Sequence, residues 1–134
     1  ATIQLQYLRL LKEIQAETGV AIIFITHDFG IVSRMCDRVV VMYAGRIVED
    51  ANVRDLFANP SHPYTEALIR SVPNVDEDVD NLYSIEGQPP ALDQLPEGCT
   101  FAPRCPYVFD RCLGEFPIAF NVGDNHHATC WRLE

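Results

Sequence analysis

The sequence predicts an α/β unit followed by a small loop-rich, cysteine-containing extension. Three observations carry that expectation. Residues 3–17 place Ile3, Tyr7, Leu10, Leu11 and Ile14 on one helical face. The run "VAIIFIT" that follows is continuous, apolar and rich in β-branched residues, the pattern of a strand buried on both faces of a parallel sheet. Beyond residue 82, prolines stand at 89, 90, 96, 103, 106 and 117, and cysteines at 99, 105, 112 and 130. Such a stretch supplies little regular helix or sheet and needs a staple.

The elements follow in order. Gly19, after "ET", stops the first helix. Asp28 caps a short helix carrying Ile31, Val32 and Met35. "RVVVMY" reads as a second buried strand, "AG" at 44–45 as a tight turn, and "RIVED" as the returning partner. Asn52 with Asp55 starts a helix over "VRDLFA", which Pro60 ends, and Ser61 is expected to cap another over roughly 62–71. "VPNVDEDVDN" is acidic and poor in apolar residues, a solvated linker. The expected organisation is therefore 1–50, 51–81 and 82–134.

Composition excludes several classes of function. The chain has 134 residues, 48% hydrophobic, so it can bury a core. Its net charge of −9 argues against a basic face for nucleic acid. No run of about 18 apolar residues spans a membrane. Ala1 leads straight into a helical pattern without an initiator Met, and the chain reads as a piece of a longer protein. Five cysteines without a secretion signal point to a reducing compartment, where such clusters more often bind metal or do chemistry than form disulfides.

Two places can carry chemistry. His27 sits where the first strand ends, inside "FITHD", and functional groups in open α/β sheets gather at strand carboxyl ends. There an imidazole can donate to a phosphate or orient a water, and a capping role is the plain alternative. The second place is the set Cys99, Cys105, Cys112 and Cys130, with five, six and seventeen residues between successive members. Four thiolates can hold zinc or an iron–sulfur cluster. Structural zinc usually takes close pairs, absent here, whereas a cubane cluster is larger and tolerates wider spacing. Disulfides, in any of three pairings, also stay open. His126 and His127 can replace one ligand or hydrogen-bond within their turn. Cys36 is expected to be a buried, unligated thiol, His62 a packing or capping residue, and Phe101, Tyr107, Phe109, Phe116 and Trp131 to pack around the cysteines. Arg104 and Arg111 flank the thiols, but no Cys-x-x-Cys supports a redox enzyme.

"IFITHDFGIVSRMCDRVVVMYAGRIVE" resembles the switch-histidine region of ABC-transporter ATPases, through Thr26, His27, Asp28, Asp37, Arg38, Gly45 and Ile47. "TIQLQYLRLLKEIQAETG" resembles the helix after that family's Walker B and D-loop segment. "ANPSHPYTEALIRSVP" and "IEGQPPALDQLPEGCTFAPRCP", with the later Cys112 and Cys130, resemble the C-terminal region of oligopeptide and dipeptide importer ATPases. The resemblance implies the C-terminal part of a P-loop NTPase (ABC ATPase) domain with a four-cysteine extension. It implies ATP with Mg in the intact protein, with His27 contacting the γ-phosphate and helping to position water. It implies a 4Fe–4S cluster at the four cysteines, as in some members, with zinc as the alternative. The partners implied are a second ATPase subunit and transmembrane permease subunits, at the cytoplasmic side of the cell membrane, with no nucleic acid. The phosphate-cradling loop, Gly-x-x-x-x-Gly-Lys-Ser/Thr, is absent, since the one lysine is Lys12 with no glycine before it. The chain alone is therefore expected not to hydrolyse ATP. The rival reading is a stand-alone metal- or iron–sulfur-binding interaction module.

Overall fold

The computed structural model describes residues 2–72 and 84–134, so the acidic linker lies almost wholly outside the described residues. The chain divides into two compact units, Ala1–Asp37 and Arg38–Glu134.

The first unit is helical. Helix α1 runs over Thr2–Thr18 and stops as expected at Gly19, whose φ of 70° suits glycine and whose amide donates to Gln15 O at 2.9 Å. Helix α2 covers Phe29–Met35. Its cap is Asp28, whose Oδ1 accepts from the Gly30 and Ile31 amides at 2.8 and 3.1 Å. The apolar run between the helices forms no strand. Ile23 and Ile25 are 89% and 98% exposed. A strand exists only where a neighbour takes its amides and carbonyls, and no described residue pairs with this one.

The second unit is built on a wholly antiparallel four-stranded sheet of order β1-β2-β4-β3. Strands β1 (Arg38–Tyr43) and β2 (Arg46–Asn52) form the expected hairpin. Its turn holds Ala44 and Gly45 at φ 46° and 76°, the left-handed pair that a two-residue hairpin demands. β1 is not buried on both faces. It is an edge strand, so Val41 and Tyr43 face the core while Val40 and Met42 face out. The parallel arrangement expected from its apolar run is absent because a hairpin can only return antiparallel.

Helix α3 (Val53–Ala58) buries Leu56 and ends before Pro60. Helix α4 (Pro63–Arg70) is capped not by Ser61 but by His62. The proline-rich tail supplies more structure than expected: a 3-10 turn at Ala102–Arg104, helix α5 (Asp110–Gly114), strands β3 (Phe120–Gly123) and β4 (His126–Ala128), and a final 3-10 turn at Trp131–Leu133. β4 joins β2 through Glu49–Ala128 and Asp50–His127, so the tail and the hairpin share one sheet. Tyr43, Tyr64 and Phe101 meet edge-on or tilted, with centroids 4.7 to 5.3 Å apart, and form the aromatic heart of the unit. Arg104 ties residues 85 and 86 to this core through their carbonyls, at 3.0 and 2.9 Å.

Candidate functional site

The four tail cysteines arrive from separate pieces of chain and line one small, largely enclosed cavity. Cys99 precedes the first 3-10 turn and Cys105 follows it; Cys112 lies on α5; Cys130 opens the last turn. His62, Phe101, Tyr107, Trp131 and Arg132 complete much of the wall. Close backbone approach makes the arrangement possible. The Cys99 amide donates to Cys112 O at 2.8 Å, and a Cβ on Gly98 would stand 2.2 Å from that same oxygen. Only a residue without a side chain fits there.

All four thiols are free of disulfides. Burial pushes Cys99, Cys105 and Cys130 above the ordinary thiol range. Backbone amides oppose this: those of Phe101 and Ala102 donate to the Cys99 sulfur, Tyr107 to Cys105, and Arg132 to Cys130. An amide two residues on therefore serves each of these three sulfurs. Donors of this kind favour the thiolate, the form that binds soft metals. Yet among the described residues no group of three or more His, Cys, Asp or Glu is placed to hold a metal ion. The expectation of zinc, and of a metal centre generally, thus finds no support in the placement of the ligands. The chain spacing of five, six and seventeen residues spreads the thiols around a wall instead of onto a point. What the residues offer is a donor set of four thiols, three of them served by backbone amides.

The cavity wall is held from behind by Glu49. Its carboxylate is 1% exposed and accepts from the Ser61 and His62 amides at 2.7 and 2.9 Å. The His126 ring donates from Nε2 to the same group at 2.7 Å. Three donors compensate the cost of burying this carboxyl. His62, 1% exposed, accepts from the Tyr64 amide at Nδ1, at 3.0 Å, and its Nε2 is buried without a partner. Burial, with Arg132 adding to it, pushes this imidazole down to about 4. It is neutral at pH 7, with its proton on Nε2. An unpaired buried donor costs about 1–3 kcal/mol.

The other sequence-predicted residues fall as follows. His27 is exposed and belongs to the first unit, whereas the cysteines belong to the second. Asp28 caps α2, and its amide donates to Thr26 Oγ1 at 3.0 Å. Cys36 is half-buried rather than buried, and burial raises its thiol. His126 turns to Glu49 and His127 is exposed; neither lines the cysteine cavity. Phe101 and Trp131 pack as expected, but Phe109 is exposed, and Phe116 lies beneath the Arg46 guanidinium, 4.7 Å from its ring centroid. Arg111 sits 3.5 Å from the Trp131 centroid, and the Trp131 indole donates to Glu115 O at 3.0 Å. Glu49 was not singled out from the sequence, because a glutamate in a short strand reads as solvent-facing. No local signal marked it, since the "HPY" segment that it grips begins thirteen residues further along the chain.

Comparison with known proteins gives a consistent relationship. Residues 48–112 match the family model described as oligopeptide/dipeptide transporter, C-terminal region. The chain is 45% identical, over 99% of its length, to the oligopeptide transport ATP-binding protein AppD of Bacillus subtilis, and covers 40% of that protein. It is 48% identical, over 98% of its length, to the probable peptide ABC transporter ATP-binding protein y4tR of Sinorhizobium fredii, covering 39% of it. It is 46% identical, over 99% of its length, to the oligopeptide transport ATP-binding protein OppD of Mycobacterium tuberculosis, covering 22%. The chain thus spans two-fifths or less of the length of these relatives, and a stand-alone metal-binding module gains no support from them. Residues 48–112 thus resemble the oligopeptide/dipeptide transporter C-terminal region, and over nearly all its length the chain is similar to ATP-binding proteins of peptide transport.

Proposed function

We propose that this chain is part of the ATP-hydrolysing subunit that energises ABC-type import of di- or oligopeptides or related solutes. The observation that carries the reading is the 45–48% identity, along 98–99% of the chain, to proteins named for peptide transport and ATP binding. Residues 1–50 would complete the α/β nucleotide-binding domain, 51–81 link it, and 82–134 form the cysteine-bearing extension. A second ATPase subunit and transmembrane permease subunits would be its partners, at the cytoplasmic face of the membrane. No helix among the described residues is long and apolar enough to cross a membrane itself.

In the complete protein, ATP with Mg supplies the phosphoryl chemistry. His27 then stabilises charge building on the γ-phosphate and orients water, as a positioned donor. Its exposure in this chain suits a residue that meets nucleotide contributed with other segments. His27→Ala in the assembled transporter is expected to lower hydrolysis by about 10²-fold with nucleotide binding nearly unchanged. Equal loss of both would refute the role. Uptake of a labelled oligopeptide by cells carrying this transporter tests the solute class.

For the tail, the reading is a 4Fe–4S cluster held by Cys99, Cys105, Cys112 and Cys130. Bound there, such a group supplies a covalent staple for a region with little core of its own. The free thiols, the shared cavity and the amide donors support it. Zinc is the alternative, and the chain spacing, which lacks the close pairs of structural zinc sites, disfavours it. Anaerobic purification should yield about four irons per chain, and stoichiometric zinc without iron would end the reading.

A further inference from the structure

The "HPY" segment holds a histidine where a better helix cap would serve if capping were its whole task. Serine, aspartate and asparagine lead at N-cap positions, and His62 occupies one. Pro63 has no backbone N–H, so the first free donor of α4 is the Tyr64 amide, and it donates to His62 Nδ1 at 3.0 Å. On its other side the His62 backbone amide is fixed by Glu49 at 2.9 Å. The ring is therefore held with its proton on Nε2, tilted against the Phe101 ring, centroids 5.9 Å apart. Nε2 is fully buried with no acceptor, and the residue lines the four-cysteine cavity. Two other buried groups, the hydroxyls of Thr65 and Thr100, also lack partners, but neither residue lines that cavity. Arg132, from the same wall, brings a cation beside Cys130.

We infer that His62 is a built-in hydrogen-bond donor to the sulfur-rich group held by the four cysteines, its Nε2–H directed at a sulfur of that group. This rests on the cluster reading above. A neutral imidazole N–H, four peptide amides and a guanidinium around one cavity are together the donors that an anionic sulfur assembly calls for. Without such a group the thiol-lined cavity would keep a donor buried with nothing to receive its proton. His62 is a positioning and tuning residue for the bound group, not a ligand. Glu49 and Tyr64 position it. Hydrogen bonds to cluster sulfurs stabilise the more reduced, more negative state and raise the reduction potential.

The test uses the chain loaded anaerobically with iron and sulfide, as wild type, His62→Gln and His62→Leu. Iron and sulfide content, a potentiometric titration, and pulsed EPR of the dithionite-reduced protein grown on ¹⁵N-histidine are measured. The expected result is full loading of the wild type and a weak coupling from an uncoordinated ¹⁵N that His62→Gln abolishes. In His62→Leu the equilibrium should shift about tenfold toward the oxidised form, which is about 59 mV for one electron. His62→Gln, which keeps an N–H near the Nε2 position, should recover at least half of that shift. Full loading of all three proteins with equal potentials and no ¹⁵N coupling overturns the His62 inference and leaves the cluster standing. A wild type that takes up no iron overturns both. If the variants fail to load, the wild-type coupling decides: its presence supports the donor and its absence refutes it.

Discussion

Glu49 and His126 are 77 positions apart, and their side chains meet inside the sheet with Oε1 2.7 Å from Nε2. The same carboxylate takes the Ser61 and His62 amides, so one buried group fastens the hairpin, the entry to α4 and the C-terminal strand. Glu49→Ala would orphan three donors. Its expected cost is about 3–5 kcal/mol, against about 1–3 kcal/mol for Glu49→Gln, which keeps one acceptor oxygen. Urea unfolding of the chain measures both, and a midpoint unmoved by Glu49→Ala would contradict the role.

Gly98 is needed for space, not for an unusual dihedral. A Cβ there would lie 2.2 Å from Cys112 O and 2.7 Å from Leu113 C, backbone atoms that cannot swing aside. Gly98→Ala is expected to destabilise by about 1–3 kcal/mol. It should also speed exchange of the Cys99 amide, whose bond to Cys112 O it pries apart. Hydrogen exchange of that amide is the check.

His62 makes acid stability predictable for the chelator-treated chain. Its imidazole titrates near 6.5 when unfolded and about 4 when buried. The unfolded chain therefore takes the proton first as pH falls. The stability that His62 contributes is complete above pH 6.5 and declines as pH drops toward 4, by about 3 kcal/mol. His62→Gln removes this component, so its stability should fall less between pH 7 and pH 4 than that of wild type. Parallel pH profiles for the two proteins would be the contrary result.

Calorimetric titration of the chain with Mg-ATP should show no saturable binding in the micromolar range. The sequence holds no Gly-x-x-x-x-Gly-Lys-Ser/Thr, and its one lysine lies within α1. Micromolar binding would require a phosphate site built some other way.

Ile23 and Ile25 are almost wholly exposed. Ile23→Ser with Ile25→Ser should change thermal stability of the chain by no more than about 0.5 kcal/mol, and should reduce self-association seen by sedimentation. A large destabilisation would mean that these side chains are covered in solution.

Local chemistry was legible wherever neighbours in the chain satisfy one another. The Asp28 cap, the Gly19 stop, the Ala44-Gly45 hairpin turn and the end of α3 before Pro60 are all contacts over a few residues, and each formed where the residue types indicated. The switch-histidine and "HPY" segments, with the four tail cysteines, were sufficient to identify the relationship to peptide-transport ATP-binding proteins. "VAIIFIT" was misread as a formed strand because its pattern reports what the segment is suited to, while pairing depends on a second strand.

Long-range choices were beyond any local pattern. Which helix-cap residue wins at 61–62, which strand β4 joins, and where a buried glutamate finds its three donors depend on atoms tens of residues away. That four cysteines would share one wall was suggested by their residue type. That His62 stands among them with an unpaired N–H followed from packing alone. Chain order specifies what each residue can offer, while burial in a shared fold settles which partner removes the cost of leaving water.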